Sequence, residues 1–253
     1  MRSSQLDLGM YDSDKITNRY LEWYDPVLEP FLKKEVVLLE LGIFKGGSLL
    51  LWRDYFPLGT IVGVDIKLPK DFQQTNRIHV FKGSQADLKF LSGVANEIAP
   101  DGFDIIIDDA SHIGELTKTA FWHLFDNHLK PDGLYIIEDW GTGYWDDWPD
   151  GRSLDLNMYT QKAVGSGVKH IPLLLKIASR VLRFKIAKQL LPKSSWPCHS
   201  YGMVGFIKQL IDEQAAADVT SKNRDGKPER ASKFENILIT PSIVFIKKVK
   251  HLS

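Results

Sequence analysis

Two acidic clusters carry the chemical promise of this chain: Asp108-Asp109-Ala110-Ser111-His112 and Glu138-Asp139. Each directly follows a short apolar run rich in isoleucine, Phe103 to Ile107 for the first and Leu134 to Ile137 for the second. Such runs read as buried strands, so the acids and the histidine stand at strand ends. In an open parallel sheet, ligands bind at the carboxyl ends of the strands. Several carboxylates and one imidazole converging there suit a hard cation with a base beside it.

The elements that must position them alternate. Val36 to Leu41 reads as a strand, Gly42 to Gly47 as a turn and Ser48 to Phe56 as a helix. Ile61 to Val64 and Ile78 to Phe81 are further strands. Asp87 to Ala99 is helical, with Leu88, Leu91, Val94, Ala95 and Ile98 on one face, and a second helix runs from Glu115 to His128. Alternation of this kind implies right-handed crossovers and a parallel sheet. Asp12 to Asp25, with Tyr20, Trp23 and Tyr24 at helical spacing, predicts a leading helix stopped near Asp25-Pro26. After Trp140 the pattern breaks. Gly141 to Asp155, rich in Gly, Trp and Asp, predicts an active-site loop. Ile171 to Leu191 predicts an apolar, basic helix and Tyr201 to Glu213 another helix, with a polar loop at Asn223 to Arg230. Ile237 to Ile239 and Ile243 to Ile246 flank the turn Thr240-Pro241-Ser242 as an antiparallel pair. The fold class expected is α/β, a Rossmann-like, mostly parallel sheet with a C-terminal antiparallel hairpin and a helical lid insertion.

Composition narrows the function classes. The single cysteine, Cys198, excludes an intramolecular disulfide and a multi-thiolate zinc site. The first residues lack the apolar core of a signal peptide and no apolar stretch is long enough to span a bilayer, so a cytoplasmic location is expected. Zero net charge argues against a dedicated nucleic-acid binder. The zero hides an asymmetry: residues 1–150 hold 25 acids and 14 Lys/Arg, residues 151–253 hold 7 and 18. Within the basic half, Lys176, Arg180 and Arg183 share a face of the 171–191 helix. That helix suits a lid, a homo-oligomer contact or a peripheral membrane surface, and the basic charge would draw in a lipid- or phosphate-linked acceptor.

The turn after the first strand, Glu40-Leu41-Gly42-Ile43-Phe44-Lys45-Gly46-Gly47-Ser48, is neither a dinucleotide fingerprint nor a phosphate loop. Gly42, Gly46 and Gly47 permit a tight turn and close approach to a ligand. Glu40 would repel a pyrophosphate but suits a cationic ligand such as an aminoacyl sulfonium. Asp65 ends the second strand, where a carboxylate accepts hydrogen bonds from ribose hydroxyls. Ser84 and Gln85, after the third strand, offer polar groups for an adenine edge.

Here the chain resembles the class I S-adenosylmethionine-dependent methyltransferases. Ser13-Asp14-Lys15 with Tyr20 and Tyr24, Glu40-Leu41-Gly42, Asp109-Ala110-Ser111-His112 and Glu138-Asp139-Trp140 are similar to the metal-dependent macrolide sugar O-methyltransferases of the mycinamicin type, and to the cephalosporin hydroxylase-like proteins. The resemblance covers residues 9–145 and Ser242 to Ile246, with Ala110 where the family usually has glycine. It implies a single methyltransferase domain over 1–253, an N-terminal helical segment at 1–30 and a lid and substrate-binding insertion at 141–199. It implies an S-adenosylmethionine- and Mg²⁺-dependent O-methyltransferase of antibiotic biosynthesis, acting on a sugar hydroxyl of a glycosylated natural product or surface glycan.

Such chemistry needs in-line orientation, loss of the hydroxyl proton and a cation to lower the hydroxyl pKa. Asp109, Glu138 and Asp139 are the expected metal ligands and His112 the expected general base. Cofactor contacts are expected from Glu40, Gly42, Gly46, Ser48, Asp65, Ser84, Gln85, Asp108 and Tyr20. Asp108 either faces the methionine ammonium or holds the loop. Trp140, Tyr144 and Trp145 offer aromatic faces to a sugar ring. Ser111 reads as a helix cap, and His123 and His128 as structural. Two alternatives stand beside this reading: a non-haem hydroxylase, which would want a second histidine near the acids, and a non-catalytic nucleotide-binding protein on the same fold. A serine hydrolase is excluded by the lack of a nucleophile elbow.

Overall fold

The computed structural model describes residues 2–70, 72, 75–154, 199–221 and 226–250. The basic helix expected at 171–191 lies outside them. The chain divides into two compact units, Met1–Arg152 with Ser200–Ser253, and Ser153–His199. The acidic and aromatic stretch from Trp140 to Asp150 belongs to the first unit.

The first unit is built on a seven-stranded sheet. Its strands are β1 (Val37–Leu41), β2 (Thr60–Asp65), β3 (Ile78–Lys82), β4 (Phe103–Asp108), β5 (Leu129–Glu138), β6 (Phe234–Ile239) and β7 (Ile243–Lys248), in the order β3-β2-β1-β4-β5-β7-β6. The first five are parallel, and β7 runs antiparallel to β5 and β6. Two hydrophobic layers flank the sheet because alternate strand residues point to opposite faces. On one side, Leu39, Leu41 and Ile106 meet α4 (Leu88–Ile98), α5 (Gly114–Asn127) and α6 (Gly202–Gln214) through Leu91, Phe121 and Phe206. On the other, Leu38, Ile61, Ile105 and Ile107 meet α2 (Leu21–Leu28) and α3 (Gly47–Tyr55) through Tyr24, Leu28, Trp52 and Tyr55. A short helix α7 (Ala216–Thr220) follows α6.

The leading helix differs from its expected form. It breaks into α1 (Asp14–Thr17) and α2, with Arg19 at a positive φ between them. Pro26 does not end α2, which continues to Leu28. Proline forgoes one backbone bond there, but Tyr24 and Leu28 are fully buried and hold the turn against the sheet. β5 begins at Leu129, earlier than its apolar run suggests.

Register brings the chemistry to one edge. Leu41 pairs with Val64 on one side and Asp108 on the other, and Asp108 pairs with Ile137. Glu40, Asp65, Asp108, Asp109, Glu138 and Asp139 thus all fall at the carboxyl edge of the parallel strands. The strand order reverses between β1 and β4, which opens a crevice at that point.

Candidate active site

Gly42 leads the chain out of β1 at φ 96°, and a Cβ there would stand 2.1 Å from the Asp109 carbonyl oxygen. The two strand exits at the switch point therefore lie backbone against backbone. Gly46 and Gly47 also give room, but the chain itself fills it: Phe72 lies where a Cβ of Gly46 would point, and the Asp12 backbone where one of Gly47 would. Gly47 also lines the cavity described next.

Segment Asp12–Thr17 and the Gly42–Lys45 turn enclose a cavity of about 480 Å³ that also reaches Asp109, Ala110 and His112. Its size is that of a small-molecule site. Lys15 closes its floor. The ammonium is fully buried, 2.5 Å from Asp109 Oδ2, 3.0 Å from Glu138 Oε2 and 3.2 Å from Glu40 Oε1. Burial alone would lower its pKa, yet the three surrounding carboxylates hold it well above the usual lysine value. No role for Lys15 is evident from the sequence. The available signal was the single basic residue of the short Asp14-Lys15-Ile16-Thr17 stretch ahead of the acid-bearing strands.

Glu40 is sealed inside this cluster. It accepts hydrogen bonds from Ser48 Oγ at 2.7 Å and Trp52 Nε1 at 3.3 Å, besides the Lys15 ion pair. With no exposed surface, Glu40 does not face a cationic ligand, and Ser48 serves Glu40. Burial raises the Glu40 pKa. Asp65 organises the Gly42 turn. Its Oδ2 accepts from the amides of Ile43 at 2.7 Å and Phe44 at 3.2 Å, and its Oδ1 from the amide of Lys67 at 2.9 Å.

Asp108 is 2% exposed, so it holds the loop rather than reaching into open space. Gln85 Nε2 donates to both its oxygens at 3.4 Å, and Gln85 Oε1 accepts from the Ser111 amide at 3.2 Å. Burial pushes the Asp108 carboxyl up to about 7. Ser84 Oγ accepts from the Ala86 amide at 3.1 Å. Ser111 Oγ accepts from the Ile113 amide at 3.3 Å, just ahead of α5. His123 and His128 share the Ser92 hydroxyl at 2.8 and 2.9 Å, away from the acids.

Glu138 and Asp139 separate. Glu138, 1% exposed, accepts from Lys15 and from the Tyr24 hydroxyl, and burial raises its pKa well above the usual carboxylate range. Asp139 turns the other way at φ 53° and receives the Tyr20 hydroxyl. Tyr20 thus steadies an acid of the site. Burial raises the Asp139 pKa, which the Tyr20 bond partly offsets.

The groups that face one another are Asp109, His112 and Asp139, whose ligand atoms all lie within 4.8 Å. His112 Nε2 is 3.7 Å from Asp109 Oδ1 and 3.8 Å from Asp139 Oδ2. Two of the expected metal ligands, Asp109 and Asp139, fall in this group beside His112, while Glu138 is held on the buried side by Lys15 and Tyr24. Mg²⁺ takes oxygen ligands and commonly needs only one or two carboxylates, leaving positions for water and substrate. Asp109 and Asp139 meet that requirement. Among the described residues, Lys15 is the one Lys or Arg in ion-pair contact with Glu40, Asp109 and Glu138, which leaves the acids of the site in excess.

His112 itself has φ 49°. A non-glycine residue in that region costs about 1–3 kcal/mol and persists only where its surroundings enforce it. Here the His112 carbonyl accepts from Trp148 Nε1 at 2.8 Å and Thr142 Oγ1 at 3.2 Å. Trp140 is tied down through Nε1 to the Thr240 carbonyl at 3.0 Å, with Tyr144 edge-on to its ring at 6.2 Å. Trp145 is 53% exposed, leaving its ring open.

No family model matches the chain. Over 156 residues it is 38% identical to the mycinamicin VI 2''-O-methyltransferase of Micromonospora griseorubida, covering 56% of this chain and 38% of that protein. Over 151 residues it is 44% identical to the 8-demethyl-8-(2-methoxy-alpha-L-rhamnosyl)-tetracenomycin-C 3'-O-methyltransferase of Streptomyces olivaceus, covering 54% and 38%. The demethylmacrocin O-methyltransferase of Streptomyces fradiae is 39% identical over 152 residues, covering 53% and 38%. The MycE methyltransferase of the mycinamycin pathway, solved in complex with Mg and SAH, superposes with a TM-score of 0.62 at 27% identity, covering 90% of this chain and 48% of that one. The chain spans less than half the length of the relatives it matches.

Proposed function

We propose that this chain, a homologue of macrolide and polyketide sugar O-methyltransferases with a class I methyltransferase fold, transfers a methyl group from S-adenosylmethionine to a sugar hydroxyl of a glycosylated natural product. One observation carries the proposal: Asp109, His112 and Asp139 converge at the carboxyl edge of the sheet, beside a cavity of about 480 Å³. When bound, S-adenosylmethionine supplies an electrophilic methyl group, and a divalent cation lowers the pKa of the acceptor hydroxyl.

The chain's own residues have distinct parts in this reading. Asp109 and Asp139 hold the cation, with Glu138 behind them, ordered by Lys15 and Tyr24. His112 takes the hydroxyl proton at Nε2, the general-base role that histidine most often fills. The two flanking carboxylates then stabilise the imidazolium. The cofactor lies along the Gly42–Lys45 turn, with the carboxylates of Asp12 and Asp14 on the cavity rim. Trp145 offers its exposed ring to the acceptor sugar. Most of the lid and substrate-binding insertion expected at 141–199 lies outside the described residues.

Calorimetry with S-adenosylmethionine, followed by label transfer to deoxysugar glycosides with and without chelator, tests the reading. Binding together with cation-dependent transfer supports it. Transfer to none of the glycosides, or transfer indifferent to chelation, refutes it. The non-catalytic alternative predicts binding without transfer.

A further inference from the structure

The segment after β5 grips the base-bearing loop from below. Thr142 donates its hydroxyl to the His112 carbonyl at 3.2 Å and its amide to the Asp139 carbonyl at 3.1 Å. It therefore bridges His112 and Asp139, both non-glycine residues with positive φ. The Trp148 indole donates to the same His112 carbonyl at 2.8 Å, and its ring lies 6.0 Å from the imidazole at 48°. Two residues further on, Asp150 Oδ2 accepts from the Gly114 amide at 2.6 Å, at the first residue of α5. A carbonyl oxygen has two acceptor directions, and here both are taken from a single segment. Left to itself, the backbone at His112 would relax out of the left-handed region.

We infer that Thr142 and Trp148 are positioning residues: they lock the His112 backbone so that its Nε2 points between Asp109 and Asp139. Neither touches the reacting atoms; both act through His112. The inference rests on His112 being the base. It adds that the loop carrying the exposed ring of Trp145 also sets the base. Trp145 lies edge-on to Trp148 at 6.2 Å, so an acceptor stacking on Trp145 meets a base already aimed.

The test is a kinetic cycle on the full chain with a transferable glycoside acceptor. Thr142→Val keeps the shape and removes the hydroxyl, and Trp148→Phe keeps a ring and removes the donor. Each should lower kcat by about 10–100-fold, the scale of a misplaced catalytic group, with acceptor KM within about twofold. Thr142→Ser should restore kcat. In a His112→Ala background, neither change should lower the residual rate further, because coupled residues act as one unit. A merely structural role would cost the same fold in both backgrounds, and that result overturns the inference. So does parental kcat in both single variants while His112→Ala is inactive, an outcome that leaves the base assignment intact. Parental turnover in His112→Ala removes the base reading and the inference together.

Discussion

The imidazole Nε2 of His112 lies 3.8 Å from Asp139 Oδ2, and both residues have left-handed backbone conformations, at φ 49° and 53°. Two strained residues facing one another across adjacent strand ends point to a function that holds them there.

Removing the imidazole should remove the chemistry and spare binding. His112→Ala is expected to lower turnover by about 10²–10⁴-fold, the usual weight of a general base. Calorimetric affinity for S-adenosylmethionine should stay within a few-fold. A variant with undiminished turnover would assign the base elsewhere.

The acids should divide by role. Asp109→Asn and Asp139→Asn are expected to weaken the cation requirement and activity together, because they face the open site. Glu138→Gln should act first on stability, since its carboxylate is committed to Lys15 and Tyr24. Magnesium titrations of the three variants, each with a melting curve, separate these outcomes. Asp139→Asn with parental cation affinity would contradict the division.

Lys15 holds together three carboxylates, of which Glu40 and Glu138 are buried. Lys15→Met should destabilise the chain by about 3–5 kcal/mol, the cost of leaving buried charge uncompensated. Denaturant unfolding at pH 7 measures it. Midpoint loss should shrink as pH falls, because Glu40 and Glu138, whose pKa values burial has raised, take up protons first. An unchanged midpoint would mean that the cluster contributes nothing to the fold.

Asp108 gives the chain a pH slope of its own. Burial raises its folded pKa to about 7, whereas an unfolded aspartate titrates near 4. Between those values the folded chain holds a proton that the unfolded chain has released, so this group makes stability fall as pH rises from 4 to 7. Asp108→Asn should remove that slope and raise stability above pH 7 by up to about 4 kcal/mol. Unfolding curves at pH 5 and 8, with chelator present, test the sign.

Much of the sheet was legible because buried parallel strands are near-continuous apolar runs. Phe103 to Ile107 and Leu134 to Ile137 could hardly be anything else. The start of β5 was hidden by Lys130, Pro131, Asp132 and Gly133, residues that carry no strand signal. The break between α1 and α2 was hidden because no Gly or Pro between Asp14 and Tyr24 marks the turn at Arg19. At the site, residue types at strand ends were readable, but directions were not. Glu138 and Asp139 are neighbours in sequence and point to different partners, Lys15 and Tyr24 for one, Tyr20 and His112 for the other. Glu40 looked like a ligand-facing acid, and only the packing of Ser48, Trp52 and Lys15 around it reveals otherwise.

The most direct test of the central claim is methyl transfer from labelled S-adenosylmethionine to a deoxysugar glycoside, run in chelator and then in added Mg²⁺. The account predicts labelled methyl ether on the sugar, lost in chelator and restored by the cation, in the parent chain and not in His112→Ala. Transfer that proceeds equally well in chelator would contradict it.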